Sequence, residues 1–188
     1  MALNLLEYWK RMNEVVSTGR GTYIIQHNRW CKPPDGWIKI NIDAACCRDS
    51  EYIRVGCVVH NDKGEFLRAR SNIIRNRGQP REAEAVSLKE ALSWMKTWRT
   101  NKYIFESDAK LLVVAFQRRR GKSLFDTIVE DCQEILKHFQ EVLIVFINRS
   151  ANMPSHLLAH AAYSMSGPHE WCYTPSDFIM CNLNLEEI

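Results

Sequence analysis

Three carboxylates in this chain of 188 residues stand where an acid is costly unless something holds it. The first is Asp43, which closes the alternating run Ile38-Lys39-Ile40-Asn41-Ile42-Asp43. The isoleucines fall on one face of a strand, and Lys39, Asn41 and Asp43 on the other. Ala44 and Ala45 follow and leave room around the acid, although an exposed strand end also accounts for Asp43 taken alone. The second is Glu84, in helical text from Pro80 to about Trp98. At about 100° per residue, Leu88, Ala91, Leu92, Met95 and Trp98 project within about 80° of Glu84, whereas Glu82 projects to the opposite side with Lys89, Ser93 and Lys96. An inward acid near a helix start needs a partner: a backbone group, Arg81 or a metal ion. The third is Asp108, which ends a short strand and opens a helix in Phe105-Glu106-Ser107-Asp108. There an N-cap role for Ser107 or Asp108 is the simpler alternative.

The set says more than its members. Converging carboxylates repel one another and raise each other's pKa values unless a cation neutralises them. Oxygen-only ligands that leave room for water suit Mg²⁺ or Mn²⁺. A site able to hold two such ions activates a water and stabilises the leaving oxygen of a phosphodiester.

The elements that must position these acids follow from pattern. An amphipathic helix is expected over about residues 2–17, with Leu5, Trp9, Met12 and Val16 at helical spacing. Residues 18–36 read as a linker ending in the turn cluster Pro33-Pro34-Asp35-Gly36. Strands are expected at 37–45, 52–60 and 65–74, the last two joined as a hairpin through Asn61-Asp62-Lys63-Gly64. A helix follows over 80–98, begun by Pro80. A strand at 103–107, helices at 109–117 and about 123–139, a strand at 142–148 and a helix at 154–166 complete the order. The pattern β-β-β-α-β-α-α-β-α predicts an α/β fold: a five-stranded mixed sheet, three strands in an antiparallel meander and two parallel, flanked by helices. The expected organisation is an N-terminal helix and linker (1–29), one domain (30–166) and an aromatic, turn-rich tail of no clear period (167–188).

Composition sets outer bounds. Apolar residues make up 46% and charged residues 25%, an ordinary balance for a globular chain, and the net charge of +3 permits a polyanionic partner without demanding one. The seven cysteines include no CxxC pair, which argues against a zinc site and for reduced thiols in an intracellular compartment, cytoplasm or nucleus. No apolar run approaches a membrane span, and the N-terminus lacks the basic region and cleavage site of a signal peptide.

Five stretches carry a resemblance: "WCKPPDGWIKINIDAA" (30–45), "GCVVHNDKGEFLRA" (56–69), "AEAVSLKEAL" (83–92), "FESDAKLLVVA" (105–115) and "RSANMPSHLLA" (149–159). With these the chain resembles the ribonuclease H type 1 fold, and more closely the plant ribonuclease H-like domain of retroelement-type reverse transcriptase proteins and their stand-alone relatives. The resemblance implies hydrolysis of the RNA strand of an RNA–DNA hybrid, with Asp43, Glu84 and Asp108 as catalytic acids holding two Mg²⁺ (or Mn²⁺) ions. A fourth acid in that family lies four residues after an Asn. Here the Asn is Asn152 and the matching residue is His156, as is common in the plant-type relatives. Neutral imidazole is a poor ligand for Mg²⁺, so His156 is expected to shuttle a proton, a solvent-facing His being the alternative.

Nucleic acid is expected at Arg118, Arg119, Arg120 and Lys122 in "FQRRRGKS", with Asn41 and Asn152 as further contacts. Arg68, Arg70, Arg75, Arg77 and Arg81 add positive charge before the Glu84 helix, and Asn72 and Asn76 are candidates for sensing ribose. The competing reading is a nucleic-acid-binding domain of retroelement origin that has lost hydrolysis. A third is an accessory domain working through protein contacts of the N-terminal helix and C-terminal tail. A monomer is expected, with no membrane contact.

Overall fold

In a computed structural model, the chain is described at residues 30–47, 50–75, 78–98, 100, 102–116, 121–162 and 167–174, with the backbone alone at 16–19 and 22–24. β1 (Val16–Gly19) and β2 (Thr22–Ile24) come first. The meander follows as β3 (Ile38–Cys46), β4 (Tyr52–His60) and β5 (Phe66–Arg75). Then come α1 (Pro80–Met95), β6 (Lys102–Ser107), α2 (Lys110–Ala115), α3 (Leu124–Leu136) and β7 (Glu141–Phe146). A 3₁₀ turn (Arg149–Ala151), α4 (Met153–Ala161) and β8 (His169–Cys172) close the order.

The strands make one mixed sheet in the order β1-β2-β7-β6-β3-β4-β5-β8. β3, β4 and β5 are antiparallel neighbours, and β6 and β7 run parallel to β3 and to each other. The expected five-stranded core is therefore present, widened by short strands at both edges. β2 pairs parallel with β7, so part of the expected linker is sheet, and Val16 and Ser17 of the expected helix lie in a strand; residues 1–15 lie outside the described set. β8 pairs antiparallel with β5, so the tail contributes a strand as well, and its residues 175–188 lie outside the described set. Runs of three or four residues are too short to display a period of two, which is why neither edge was legible.

Turn chemistry sets the meander. In the β4–β5 hairpin Gly64 adopts φ 86°, a conformation open to glycine, and its N–H bonds Asn61 O at 3.0 Å. The Asn61 side-chain oxygen accepts from the N–H of Lys63 and of Glu65.

The two faces of β3 are buried differently. Ile40 and Ile42 pack with Leu88, Leu92, Phe105 and Val129 in the main core beneath α1, α2 and α3. On the other face, Val58, paired with Asn41, packs against Leu158 of α4. The strand is thus covered on both sides, and the polar row Lys39, Asn41, Asp43 is fully buried. Gly56, opposite Asp43 in the ladder, lets α4 come close: a Cβ there would run into Ser155 O and lie 2.6 Å from Ala159 N. Among the described residues no helix is long and apolar enough to cross a membrane, and Cys46, Cys47, Cys57, Cys132 and Cys172 are free thiols.

Candidate metal centre

Asp43, Glu84 and Asp108 come together: each offers a carboxylate oxygen within 4.8 Å of the others. Asp43 is fully buried near the end of β3, Asp108 follows β6, the parallel neighbour of β3, and Glu84 reaches in from the start of α1. Pro80 opens α1, and Ser87 Oγ donates to Asp43 O at 2.9 Å, tying the helix to the strand beside the acid. Glu84 thus has the inward placement that its helical period implies. Glu82 corrects the other half of that expectation. It is buried and paired with Arg81 at 3.1 Å, because α1 packs against α3 as well as against the sheet.

His156, on α4, meets Asp43: Nδ1 lies 2.8 Å from Oδ2. His160, one turn on, lies beside it with ring centroids 4.4 Å apart and the rings tilted by 57°. Arg149 donates from Nε to Asp108 Oδ2 at 2.7 Å. The electrostatics are those of crowded acids. Burial, followed by the Asp108 charge, pushes Asp43 up to about 7, while the Ala44 N–H and Arg149 pull it back. Burial and the charges of Asp43 and Asp108 hold Glu84 well above the usual carboxylate range. Burial and then Arg149 hold His156 below its ordinary value.

The donor set fits a hard divalent cation. Among the described residues Asp43 Oδ1 and Glu84 Oε2 are buried and have no hydrogen-bond partner, a costly state that a divalent cation held by these acids would relieve. Carboxylate oxygens are the ligands that Mg²⁺ and Mn²⁺ prefer.

The remaining expected residues divide. Lys122 is exposed at the turn before α3, and Arg118, Arg119 and Arg120 lie outside the described residues, as do Asn76 and Arg77. Arg68 and Arg75 are paired with Glu170 and Glu51, and Arg70 lies over Trp94. Asn72 bonds Glu90 at 3.4 Å. Asn41 and Asn152, expected as nucleic-acid contacts, lie in the interior. They are 2% and 0% exposed and bonded to each other, because α4 and the turn before it close over their face of the sheet. Sequence reasoning passed over Arg149, Glu106 and Lys39. Glu106 stands two residues before Asp108, which by strand period puts both on one face, a signal that was available.

Residues 41–162 match the family described as reverse transcriptase-like. Similar solved structures include RNase H1 from the halophilic archaeon Halobacterium salinarum NRC-1, at 19% identity over 68% of this chain and 98% of that one, with a TM-score of 0.62. The N-terminal RNase H domain of a Mycobacterium tuberculosis protein, solved as a fusion with maltose binding protein, is 18% identical over 68% and 94%, with a TM-score of 0.60. LC11-RNase H1 in complex with an RNA/DNA hybrid is 17% identical over 68% and 99%, with a TM-score of 0.56. At these identities the likeness is one of fold, and no curated protein matches in sequence. The family match spans more than half of the chain and takes in all three acids and His156, and the chain accordingly belongs to the reverse transcriptase-like family, with an RNase H-like fold.

Proposed function

We propose that this chain is a divalent-metal-dependent endonuclease that hydrolyses the RNA strand of RNA–DNA hybrids. The observation that carries the reading is the meeting of Asp43, Glu84 and Asp108 with buried oxygens left unpartnered on two of them. In this reading those three residues hold Mg²⁺ or Mn²⁺, two ions when substrate is bound. When bound, such ions supply Lewis-acid activation of water and charge stabilisation at the phosphodiester.

The chain's own groups do the rest. Once the acids are ionised, Asp43 accepts the Nδ1–H of His156, which leaves Nε2 with its lone pair for a proton. Asp43 therefore orients the ring as well as ligating. Arg149 holds Asp108 and stands at the edge of the site, more than half exposed, where it meets a phosphate. Lys122 and the basic run at 118–120 supply nonspecific, salt-sensitive backbone contacts to the hybrid.

The test is cleavage of a labelled RNA–DNA hybrid with Mg²⁺ and then Mn²⁺, comparing the wild type with Asp43→Asn. Metal-dependent cutting of the RNA strand that the substitution abolishes is the expected result. No cutting with either metal, alongside intact salt-sensitive binding, sinks the enzyme and leaves a nucleic-acid-binding domain.

A further inference from the structure

A chain of buried polar groups runs beneath the acids, one strand repeat behind two of them. Asn41 precedes Asp43 by two residues on β3, and Glu106 precedes Asp108 by two on β6. The parallel register sets Asn41 beside Glu106. Lys39 Nζ pairs with Glu106 Oε1 at 2.6 Å, and Asn41 Nδ2 donates to Glu106 Oε2 at 2.9 Å. The same Asn41 nitrogen donates to Asn152 Oδ1 at 3.2 Å. Asn152 Nδ2 donates in turn to Ile42 O at 2.9 Å and to Asp108 Oδ1 at 3.4 Å. None of Lys39, Asn41, Glu106 and Asn152 is more than 2% exposed.

We infer that Glu106, held by Lys39, is a positioning residue for the metal centre: through Asn41 and Asn152 it dictates that an amide N–H, not an amide oxygen, faces Asp108. Donor and acceptor polarity sets each amide. An ionised carboxylate only accepts, so Asn41 must turn its NH₂ toward Glu106. The indole of Trp30 only donates and lies 3.0 Å from Asn41 Oδ1, which fixes the same orientation from the other end. Asn152 must then present its oxygen to Asn41, where Ser155 Oγ also lies 2.8 Å away. Its NH₂ is left for the Ile42 carbonyl and Asp108. The inverted amide would set oxygen against oxygen at both places.

Filling space does not require this arrangement. Ile104, beside Lys39 on the same face of the sheet, is fully buried, with Leu143 and Val145 packed around it as hydrocarbon. A buried ion pair is no more stable than apolar residues of similar volume. What the pair adds is direction, passed across two strands and the start of α4 to Oδ1 of Asp108, the oxygen that Arg149 does not hold.

The inference rests on the three acids being a metal site, so its test reads metal binding rather than turnover. Free Mn²⁺ is followed by electron paramagnetic resonance with the full chain at fixed pH, and folding is checked by circular dichroism. Trp30→Phe/Lys39→Met/Glu106→Gln removes the acceptor-only end together with the donor-only indole that fixes the same amide, while leaving no unpaired charge. Asn41→Leu cuts the relay in the middle should that variant not fold. About tenfold or greater loss of Mn²⁺ affinity in a folded variant is expected, the size seen when groups that orient metal ligands are removed. Adding Asn152→Ala to that variant should cost little more, because both act through one path. A folded variant that binds Mn²⁺ as the wild type does, or a full additional loss from Asn152→Ala, overturns the relay. If the wild type shows no saturable Mn²⁺ binding that Asp43→Asn removes, the metal site fails, and the relay fails with it.

Discussion

His156 Nδ1 stands 2.8 Å from Asp43 Oδ2, so the last helix is joined to the first strand of the meander at the most buried acid of the site. This makes the imidazole a partner of a carboxylate, with its second nitrogen available. His156→Ala is expected to lower the single-turnover cleavage rate about 10²-fold, the low end for a lost proton-transfer group, with hybrid affinity unchanged. A rise in KM at constant kcat would reassign His156 to substrate binding.

Arg149 lies 2.7 Å from Asp108 and lowers the pKa of both Asp43 and Glu84 by its charge. Removing it lets protons compete with metal up to a higher pH. With Arg149→Met, the pH midpoint of Mn²⁺ binding at a fixed subsaturating concentration should move up by about half a unit, or ~0.7 kcal/mol of lost interaction. Affinity on the alkaline plateau should not fall, since Asp108 is then released to the metal. A titration of Mn²⁺ binding against pH checks both points, and a downward midpoint shift would contradict the argument.

Without metal, the acids should make the fold less stable as pH rises. The folded pKa of Asp43 is about 7, above its value of 3.8 as a free side chain, and Glu84 shifts in the same direction. Between those limits the folded state binds the proton that the unfolded chain has released, so stability falls from about pH 4 to pH 7. A bound divalent ion reverses this, contributing about 2.7 kcal/mol at 100 times its Kd. Melting curves at pH 5 and pH 8, with and without Mn²⁺, should show the larger gain in Tm at pH 8. An equal gain at both pH values would count against burial-raised acids as the ligands.

Gly56 carries the close approach of α4 to β4. Gly56→Ala puts a methyl group against the Ser155 carbonyl and the Ala159 amide, which are backbone and cannot rotate away. About 1–3 kcal/mol of stability should be lost by urea unfolding, with weaker Mn²⁺ binding because His156 and Asn152 move with the helix. A neutral result would mean that α4 slides at no cost.

The sequence determined the main elements and three of the site's residues. Period two set the strands of the meander and the exposed-looking row that ends in Asp43; period 3.6 turned Glu84 inward; helix and turn chemistry marked Pro80 and Gly64. These are local signals, carried by residues within a few positions of one another. It did not determine which face of a strand is buried, because the pattern of β3 reads as one apolar and one polar face, whereas helices cover both. That single fact made Asn41 and Asn152 interior residues and matched Lys39 with Glu106 across a parallel pair 67 positions apart in the chain. Only the tertiary structure decides such pairings, because a lone buried charge is unfavourable until a distant segment brings its partner, and nothing local to either residue announces the other.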